Sequence, residues 1–320
     1  MDNNSNSEIY DSVIIGTGPA GFTASIYASR YKLNTIVVGK LLGGLASESH
    51  KICNYPSEKE ITGMELTNKM VEAAENQGAK IVMGEVFSVA KVGDIFVVTG
   101  TEGETWHAKT ILIASGTEHR KLNIPREQEL TGRGVSYCAT CDAMFYKKAT
   151  VAVVGGSDAA LTAALYLSEI AEKVYLIYRG DELRGDPTWA EQVKMKPNVE
   201  ILYSTNVIEL VGDLKLESIK IDRPYNDTME LAVKGLFVEI GSEPRVKAYE
   251  AIGLTYDREG YIEVGKDQST AVPGVWAAGD ITDGSNGFRQ IITAASEGAI
   301  AAESIFKHLK IGPAGLEVFP

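Results

Sequence analysis

The stretch that decides the predicted fold is "YDSVIIGTGPAGFTASIYAS", residues 10–29. An apolar run enters a glycine turn and continues with helical spacing, and another apolar run follows at 34–39. This order predicts strand, turn, helix and parallel strand. Gly16-x-Gly18-x-x-Gly21 fits the dinucleotide fingerprint, whose glycines let backbone approach a pyrophosphate at a helix N-terminus. A glycine turn needed only for packing is the alternative, and no acid closes the second strand to name the nucleotide.

The same opening returns about 140 residues later, in "ATVAVVGGSDAALTAALYLS" at 149–168, followed by an apolar run at 173–178. Two such openings predict an α/β protein with two doubly wound, Rossmann-like three-layer domains. In the second copy Gly155, Ser157 and Ala160 take the fingerprint positions, so a side chain stands where backbone should approach phosphate. This copy either binds a nucleotide or keeps the fold without one.

Two further regions show clear periodicity. Residues 88–115 alternate apolar and polar positions, which predicts strands joined by glycine-containing turns. A short predicted strand precedes Gly279-Asp280, and helical spacing follows over 287–309. An acid in that position suits binding a ribityl or ribose hydroxyl, although it could also cap the helix.

Composition limits the possible function classes. The chain has 320 residues, a formal net charge of −12, 44% hydrophobic and 23% charged residues. The length predicts about two domains with an ordinary globular core. The negative charge argues against sequence-independent nucleic-acid binding, which needs clustered Lys and Arg. No apolar run approaches the roughly 18 residues of a membrane span. The polar N-terminus lacks a signal-peptide pattern, so a cytoplasmic protein is expected.

Residues 136–142, "SYCATCD", hold two of the three cysteines. Such a pair suits half a zinc site, a structural disulfide or a redox-active dithiol. Zinc needs about four ligands, whereas the chain has no second Cys-x-x-Cys and its four histidines are scattered. No metal site is therefore predicted. A redox dithiol is favoured over an inert pair, with the carboxylate of Asp142 beside it to move protons.

Several stretches together resemble the low-molecular-weight thioredoxin reductases, over about residues 8–310. "GTGPAG" resembles the family's FAD pyrophosphate loop, and "NYP" at 54–56 resembles a segment in which Asn contacts the flavin. "GRGVSYCATCD" at 132–142 resembles the active-site strand and helix. "VPGVWAAGD" with "RQIITAASEG", within 272–298, resembles the second FAD motif.

The resemblance implies an FAD-binding domain built from residues 1–119 and 249–320. Residues 120–248 would form an inserted NAD(P)-binding-like domain that carries the cysteine pair. Family members are usually homodimers, so a homodimer is expected. The implied cofactor contacts are Gly16, Gly18, Pro19, Ala20, Gly21, Gly43, Gly44, Asn54, Gly116, Gly279, Asp280, Arg289 and Gln290.

The resemblance also implies a role for each residue of the active-site pair. Cys141 lies nearer the flavin and exchanges electrons with it, Cys138 attacks the partner's disulfide, and Asp142 handles the proton. A helix N-terminus after the pair would stabilise the attacking thiolate. The partner implied is thioredoxin or a thioredoxin-like protein.

The sequence departs from the family at the second nucleotide site. Members that use NADPH carry His-Arg-Arg-x-x-x-Arg after the strand, whereas this chain has Tyr178 for His and Gly180 for the second Arg. Only Arg179 and Arg184 remain. Each lost hydrogen bond to a charged group is worth roughly 1.5–3 kcal/mol, so NADPH binding should weaken on the order of a hundredfold to ten-thousandfold. The alternative is that Tyr178 stacks on adenine and the two arginines suffice.

The leading hypothesis is that the chain resembles atypical, ferredoxin-dependent relatives that lack this signature. A local basic patch, "KMK" at 194–196 with Arg179 and Arg184, is the predicted docking site for ferredoxin. Three alternatives stay open: an NADPH-dependent reductase with a divergent pocket, an FAD-dependent dithiol oxidase that uses oxygen, and a non-enzymatic flavin redox sensor. Cys53 is expected to be a buried, inert thiol. The tail after the last helix, with Phe319, is expected either to cover the flavin or to be disordered.

Overall fold

The computed structural model describes residues 8–311, with no side-chain description for residue 311. The tail that carries Phe319 lies outside these residues. The chain divides into two compact units. Of the described residues, the first unit comprises 8–47, 52–118 and 244–311, and the second comprises 48–51 and 119–243.

The strands and helices alternate along most of the chain. The strands are β1 (Ile9–Ile15), β2 (Thr35–Gly39), β3 (Lys80–Met83), β4 (Val86–Val92), β5 (Ile95–Gly100), β6 (Thr105–Ile113), β7 (Thr117–His119), β8 (Val135–Ser136), β9 (Thr150–Val154), β10 (Lys173–Ile177), β11 (Val199–Leu202), β12 (Val207–Val211), β13 (Ser218–Tyr225), β14 (Thr228–Ala232), β15 (Gly235–Val238), β16 (Ser242–Pro244) and β17 (Val275–Ala277). The helices are α1 (Pro19–Arg30), α2 (Gly63–Asn76), α3 (Glu127–Leu130), α4 (Ala139–Asp142), α5 (Asp158–Ser168), α6 (Pro187–Met195) and α7 (Ile291–Ile311), and short 3-10 turns lie at Gly44–Glu48, Ala143–Tyr146, Lys247–Ile252 and Ser285–Gly287.

The first unit is built on a sheet of order β3-β2-β1-β6-β5-β4, with β17 paired to β6. The neighbouring strands β3, β2, β1 and β6 are parallel to one another. The hairpin of β4 and β5 is antiparallel and continues the sheet beside β6. β2 is buried along its whole length, as expected for a central parallel strand covered on both faces. Gly16 ends β1 with a φ of +126°, and a Cβ there would lie 2.0 Å from the Ala114 carbonyl oxygen. Only glycine fits this turn.

The second unit has a parallel sheet of order β11-β10-β9-β15-β8 and a separate antiparallel sheet of β12, β13 and β14. Its core packs α5 and α6 against β9 and β10 through buried aliphatic side chains. The active-site strand β8 lies at the edge of this sheet, where it pairs with β15. The chain continues from the carboxyl end of β8 through Tyr137 into the cysteine pair.

The predicted α/β class with two Rossmann-like units is confirmed. Residues 88–115 form strands as predicted, and β17 precedes Gly279. One detail of the active-site prediction is wrong, because α4 begins at Ala139, between the two cysteines rather than after them. Among residues 8–311, the helices are too short or too polar to span a bilayer.

Candidate active site

The two cysteines of "SYCATCD" form a disulfide, Cys138–Cys141, with their Cα atoms 5.3 Å apart. Cys138 is extended and serves as the N-cap of α4, because its Sγ accepts the Cys141 N–H at 3.1 Å. The Ser136 hydroxyl oxygen accepts the Cys138 N–H at 3.1 Å. Cys138 is half-buried and Cys141 is exposed. A donor N–H already points at the Cys138 sulfur, which suits a thiolate at that atom after reduction.

The residues after the pair combine an acid with exposed apolar side chains. Asp142 ends α4 and is half-buried. Burial, with the Asp142 charge adding to it, raises the pKa of Tyr146, which places this carboxylate near the 3-10 turn that follows. Met144 and Phe145 in that turn are 62% and 83% exposed. Large apolar side chains this exposed commonly mark a protein-binding surface.

The first fingerprint forms a glycine-lined cradle at the start of α1. Gly18 is the N-cap and makes no side-chain cap, so first-turn N–H groups are left for another acceptor. The Gly43 N–H donates to the Thr17 carbonyl at 2.7 Å. A Cβ on Gly44 would lie 3.4 Å from the Gly18 Cα. The backbone of 43–44 thus packs over the turn, which leaves room for a pyrophosphate but for few side chains.

The second FAD-like motif is held together by a carboxylate that the sequence analysis did not single out. Glu297 is 5% exposed. It accepts hydrogen bonds from the Gly279 N–H at 2.7 Å, the Thr282 hydroxyl at 3.3 Å and the Ser285 hydroxyl at 2.5 Å. These contacts fix the turn that presents Asp280. An acidic residue on the small-residue face of α7 was the available signal, but its partners lie 12 to 18 residues away.

Two charged residues of this motif are buried in ways that matter for a ligand. Asp280 has a buried carboxyl, and Arg289 has a buried Nε. Burial raises the pKa of Asp280 to about 6, which the Arg289 charge partly offsets and the Glu297 charge increases. Within residues 8–311, the Arg289 Nε is buried without an acceptor, whereas its two Nη atoms donate to the Gly287 and Thr282 carbonyls at 3.5 Å. The Arg289 guanidinium lies 3.5 Å above the centre of the Tyr261 ring. Groups in this state are expected where a polar ligand completes the site.

Two other predicted cofactor-contact residues, Asn54 and Gln290, are hydrogen-bonded to each other although they lie far apart in the sequence. The Asn54 amide donates to the Gln290 side-chain oxygen at 3.0 Å, although they are 236 positions apart. Gly116 follows β6 with a φ of +64°, and its carbonyl accepts the Arg245 N–H at 3.3 Å. Pro19 and Ala20 open α1. All the predicted cofactor contacts therefore lie in the first unit.

These residues fit FAD. The uncapped α1 N-terminus can receive its pyrophosphate, and the buried Asp280 carboxyl and the Arg289 Nε, which has no acceptor, suit ribityl and flavin polar atoms. Asp280 and Gln290 would orient the cofactor from the α7 side and Asn54 from the loop before α2. Bound there, FAD supplies the redox chemistry of the site.

The glycine turn of the second fingerprint is covered by the Tyr178 side chain and by the loop after β10. Tyr178 is 9% exposed, and its ring packs so closely on two glycines that a Cβ at Gly156 would lie 2.5 Å from it and one at Gly180 2.7 Å. The Gly156 carbonyl accepts N–H groups from Arg184 at 2.7 Å and Gly185 at 3.1 Å. The loop after β10 is thereby bonded onto the glycine turn. The Tyr178 ring is therefore largely covered by its own chain in this structure.

The N-terminus of α5 carries a carboxylate where a pyrophosphate would be expected. Asp158 lies in the first turn, and its Oδ1 accepts the Asp186 N–H at 2.5 Å. Ser157 is the N-cap and its side chain makes no cap. Arg179 and Arg184 are exposed. The second turn thus keeps the strand–turn–helix shape and presents negative charge.

Cys53 is exposed, so the expected buried thiol is wrong. Ile52 pairs with Ile61 and is buried. The next side chain in an extended segment points the other way, toward solvent.

Comparison with known proteins agrees with this site. The family model for pyridine nucleotide-disulphide oxidoreductases matches residues 10–298. Thioredoxin reductase from Bacillus subtilis is 38% identical over 308 residues, covering 94% of this chain and 95% of that protein. The structure of Lactococcus lactis thioredoxin reductase aligns with a TM-score of 0.87 at 34% identity, covering 93% of this chain and 98% of that one.

A ferredoxin-flavin thioredoxin reductase from Clostridium acetobutylicum is also similar in structure, with a TM-score of 0.52 and 34% identity over 95% of this chain and 99% of that one. Matches of this extent to the family model and to its curated members leave no ambiguity about the family. The chain belongs to the pyridine nucleotide-disulphide oxidoreductases, as an FAD-dependent disulfide oxidoreductase of the thioredoxin reductase type.

Proposed function

We propose that this thioredoxin reductase takes its electrons from reduced ferredoxin rather than from NADPH. Two reduced ferredoxins would each give one electron, and the thioredoxin disulfide would take up two electrons and two protons to become a dithiol. Bound FAD would connect the one-electron donor to the two-electron disulfide. The FAD contacts are those of the first unit, and the reacting pair is Cys138 and Cys141.

The observation that carries the choice of donor is the filled second fingerprint. The Tyr178 ring covers Gly156, the 184–185 backbone bonds to the same glycine, and Asp158 adds a negative charge at the helix start. A nucleotide phosphate entering there would displace the ring and meet like charge. The similarity to the Clostridium acetobutylicum ferredoxin-flavin enzyme supports the same choice.

The energetics favour this direction of electron flow. Plant-type ferredoxins lie near −400 mV and thioredoxin near −270 mV. The difference of about 130 mV is worth roughly 6 kcal/mol for two electrons. No pyridine nucleotide is needed to drive the reduction.

The two cysteines would have different roles. Cys138 would attack the thioredoxin disulfide, because the Cys141 N–H directed at its sulfur stabilises the thiolate. Cys141 would be the partner that receives electrons and later displaces thioredoxin from Cys138. Asp142 would give the released thioredoxin thiolate its proton.

The proposed ferredoxin surface contains the exposed side chains of Arg179, Arg184 and Lys194, with Met195, 81% exposed, beside them in sequence. Lys196 is half-buried and pairs with Glu169 at 3.5 Å. Ferredoxins are commonly acidic, so a local basic surface on this acidic chain would steer the encounter. Lys194→Glu with Arg184→Glu should slow ferredoxin-driven turnover and weaken its dependence on salt. Unchanged turnover would remove this surface from the proposal.

A homodimer and a cytoplasmic location are parts of the same proposal. The first rests on the family resemblance. The second follows from the chemistry, since a dithiol that reduces thioredoxin must itself be kept reduced.

The testing experiment couples purified protein to photoreduced ferredoxin and follows thioredoxin thiols under anaerobic conditions. Cys138→Ser and Cys141→Ser should each lower turnover by at least roughly a thousandfold, since a single remaining thiol cannot both attack thioredoxin and release it as a dithiol. Cys53→Ser is the matched control, because that thiol is exposed and unpaired with another cysteine, and it should keep wild-type turnover. Turnover in Cys141→Ser comparable to wild type would overturn the assignment of the pair.

A further inference from the structure

The residue before the attacking cysteine is tied to a buried carboxylate. Glu127 is 5% exposed, and its side chain accepts three hydrogen bonds, from the Leu122 N–H at 2.8 Å, the Asn123 N–H at 2.8 Å and the Tyr137 hydroxyl at 2.6 Å. The hydroxyl bond has the short length typical of a phenol donating to a carboxylate. One carboxylate thus joins the 122–123 loop, α3 and the end of β8.

The same segment is held at two other points. The Thr131 hydroxyl donates to the Glu127 carbonyl at 2.8 Å, which fixes α3 to the chain that leads into β8. The Tyr137 ring lies 5.9 Å from the His119 ring and packs against the core that contains Leu130 and Val135. Tyr137 is therefore anchored through its hydroxyl and through its ring.

Burial and the bond to Glu127 raise the pKa of Tyr137 well above its ordinary value. The phenol accordingly stays protonated, and remains a donor, at neutral pH. Its proton is committed to the Glu127 carboxylate. A direct acid role for Tyr137 at the dithiol is not available.

We propose that Tyr137, held by Glu127, is a positioning residue that sets the position of Cys138 in the reduced enzyme. Within residues 8–311, the Cys138 backbone is hydrogen-bonded by Ser136, one residue before Tyr137, and by the first turn of the four-residue α4. After reduction the covalent link to Cys141 is gone. The anchored Tyr137 then acts together with the Ser136 and α4 hydrogen bonds to keep residue 138 next to its partner thiol.

This inference rests on the proposed function only in taking Cys138 and Cys141 as the reacting pair. Its consequence is thermodynamic. The stability of a disulfide relative to its dithiol depends on the effective concentration of one thiol at the other. Loosening the tether spreads the positions of Cys138, so the disulfide should become easier to reduce and the Cys138 thiol easier to alkylate.

The test uses Tyr137→Phe in the full-length flavoprotein. The equilibrium of the Cys138–Cys141 disulfide with dithiothreitol is measured by acid quench and mass spectrometry, and the rate of Cys138 alkylation is measured from pH 6 to 9. The expected result is a disulfide destabilised by roughly three- to tenfold and alkylation faster by a similar factor across the pH range. Glu127→Gln, which keeps the size of the acceptor but removes its charge, should act in the same direction and serves if Tyr137→Phe does not fold.

Tyr225→Phe is the matched control. Tyr225 also donates its hydroxyl to a carboxylate, that of Glu200, but in the antiparallel sheet of the same unit. Its loss should leave both measured quantities within twofold of wild type. A Tyr137→Phe protein that also stays within twofold, or a Tyr225→Phe protein that changes as much as Tyr137→Phe, would overturn the proposal. Neither assay contains thioredoxin or ferredoxin, so an error in the proposed donor would not alter the outcome.

Discussion

At position 178 a tyrosine ring lies against Gly156 and Gly180, in the turn where a nucleotide-binding relative would admit phosphate and ribose. The sequence shows the loss of basic residues there, but the contact between the ring and Gly156 is a tertiary feature joining positions 22 apart. A Cβ at Gly180 would lie 2.7 Å from the ring. Restoring an arginine at 180 is therefore coupled to the residue at 178.

This coupling gives a prediction for engineered nucleotide binding. Ser157→Gly with Gly180→Arg should not bind NADPH while Tyr178 remains, because the ring keeps the turn covered and the new side chain clashes with it. Adding Tyr178→His should tighten NADPH binding by at least roughly tenfold, since added hydrogen bonds to phosphate are then reachable. Fluorescence titration with NADPH compares the two. Equal, tight binding by both variants would show that Tyr178 is not the obstacle.

A second prediction concerns Glu239, which follows β15. Burial raises its pKa to about 8, with the nearby Glu48 charge adding to the shift and His119 opposing it. The folded state therefore favours the protonated Glu239 acid. The contribution of this acid to the free energy of unfolding is complete below about pH 4.5 and is lost as the pH rises through about 8. His119 adds to the same pH dependence. Its bond to Glu48 at 2.9 Å raises the pKa of His119, so the stability that this ion pair contributes is also lost with rising pH.

Urea unfolding should show the loss directly. The free energy of unfolding of the second unit is expected to fall by about 2 kcal/mol between pH 6 and 8 from Glu239 alone. Glu239→Gln should remove most of that slope, whereas Glu243→Gln, at an exposed position, should keep it. A wild-type slope in Glu239→Gln would contradict the assignment.

At the scale of elements, the short helix α4 and the 3-10 turn after it combine a disulfide with the most exposed phenylalanine of the described chain. The turn extends α4 without burying Met144 and Phe145. These two side chains lie within a few residues of Cys138, which suits contact with the apolar surface around a partner's disulfide.

Phe145→Ser should lower kcat/KM for thioredoxin by roughly tenfold through KM, since a central exposed aromatic contributes about 1–2 kcal/mol to such a contact. Reduction of the flavin by the donor should be unaffected. Phe87→Ser is the matched control, because Phe87 is 69% exposed on the edge strand β4 of the other unit. Equal losses in the two variants would mean that Phe145 acts only through stability.

Elements also differ in how far the sequence predicts them. The β1 turn and α1 follow from local chemistry, because glycine spacing and an apolar run predict a dinucleotide turn, whereas FAD is implied by the family resemblance. The cysteine spacing allows a zinc half-site, a structural disulfide or a redox dithiol, and the lack of other zinc ligands in the sequence favours the dithiol. Glu297, Glu127 and Tyr137 could not be assigned in this way, since each acts through hydrogen bonds to residues brought near by the fold. The start of α4 depends on the Cys138 sulfur, which caps the helix by accepting the Cys141 N–H. Helix propensities do not predict a cap of this kind.

At the scale of the whole molecule, two units with the same strand–turn–helix opening have different relations to nucleotides. In the first, the turn is uncapped and, among residues 8–311, the Arg289 Nε is buried without an acceptor. In the second, ring, loop and carboxylate close the turn. One fold thus supports a cofactor site in one copy and a platform for a redox disulfide in the other.

The central claim, that ferredoxin and not NADPH supplies the electrons, is tested most directly by anaerobic stopped-flow reduction of the FAD-loaded protein. Flavin bleaching is followed after mixing with NADPH, NADH or reduced ferredoxin, each in excess. The account predicts bleaching at or above the turnover rate with ferredoxin, and bleaching far slower than turnover with either pyridine nucleotide. Bleaching by NADPH at the turnover rate, with none by ferredoxin, would contradict it.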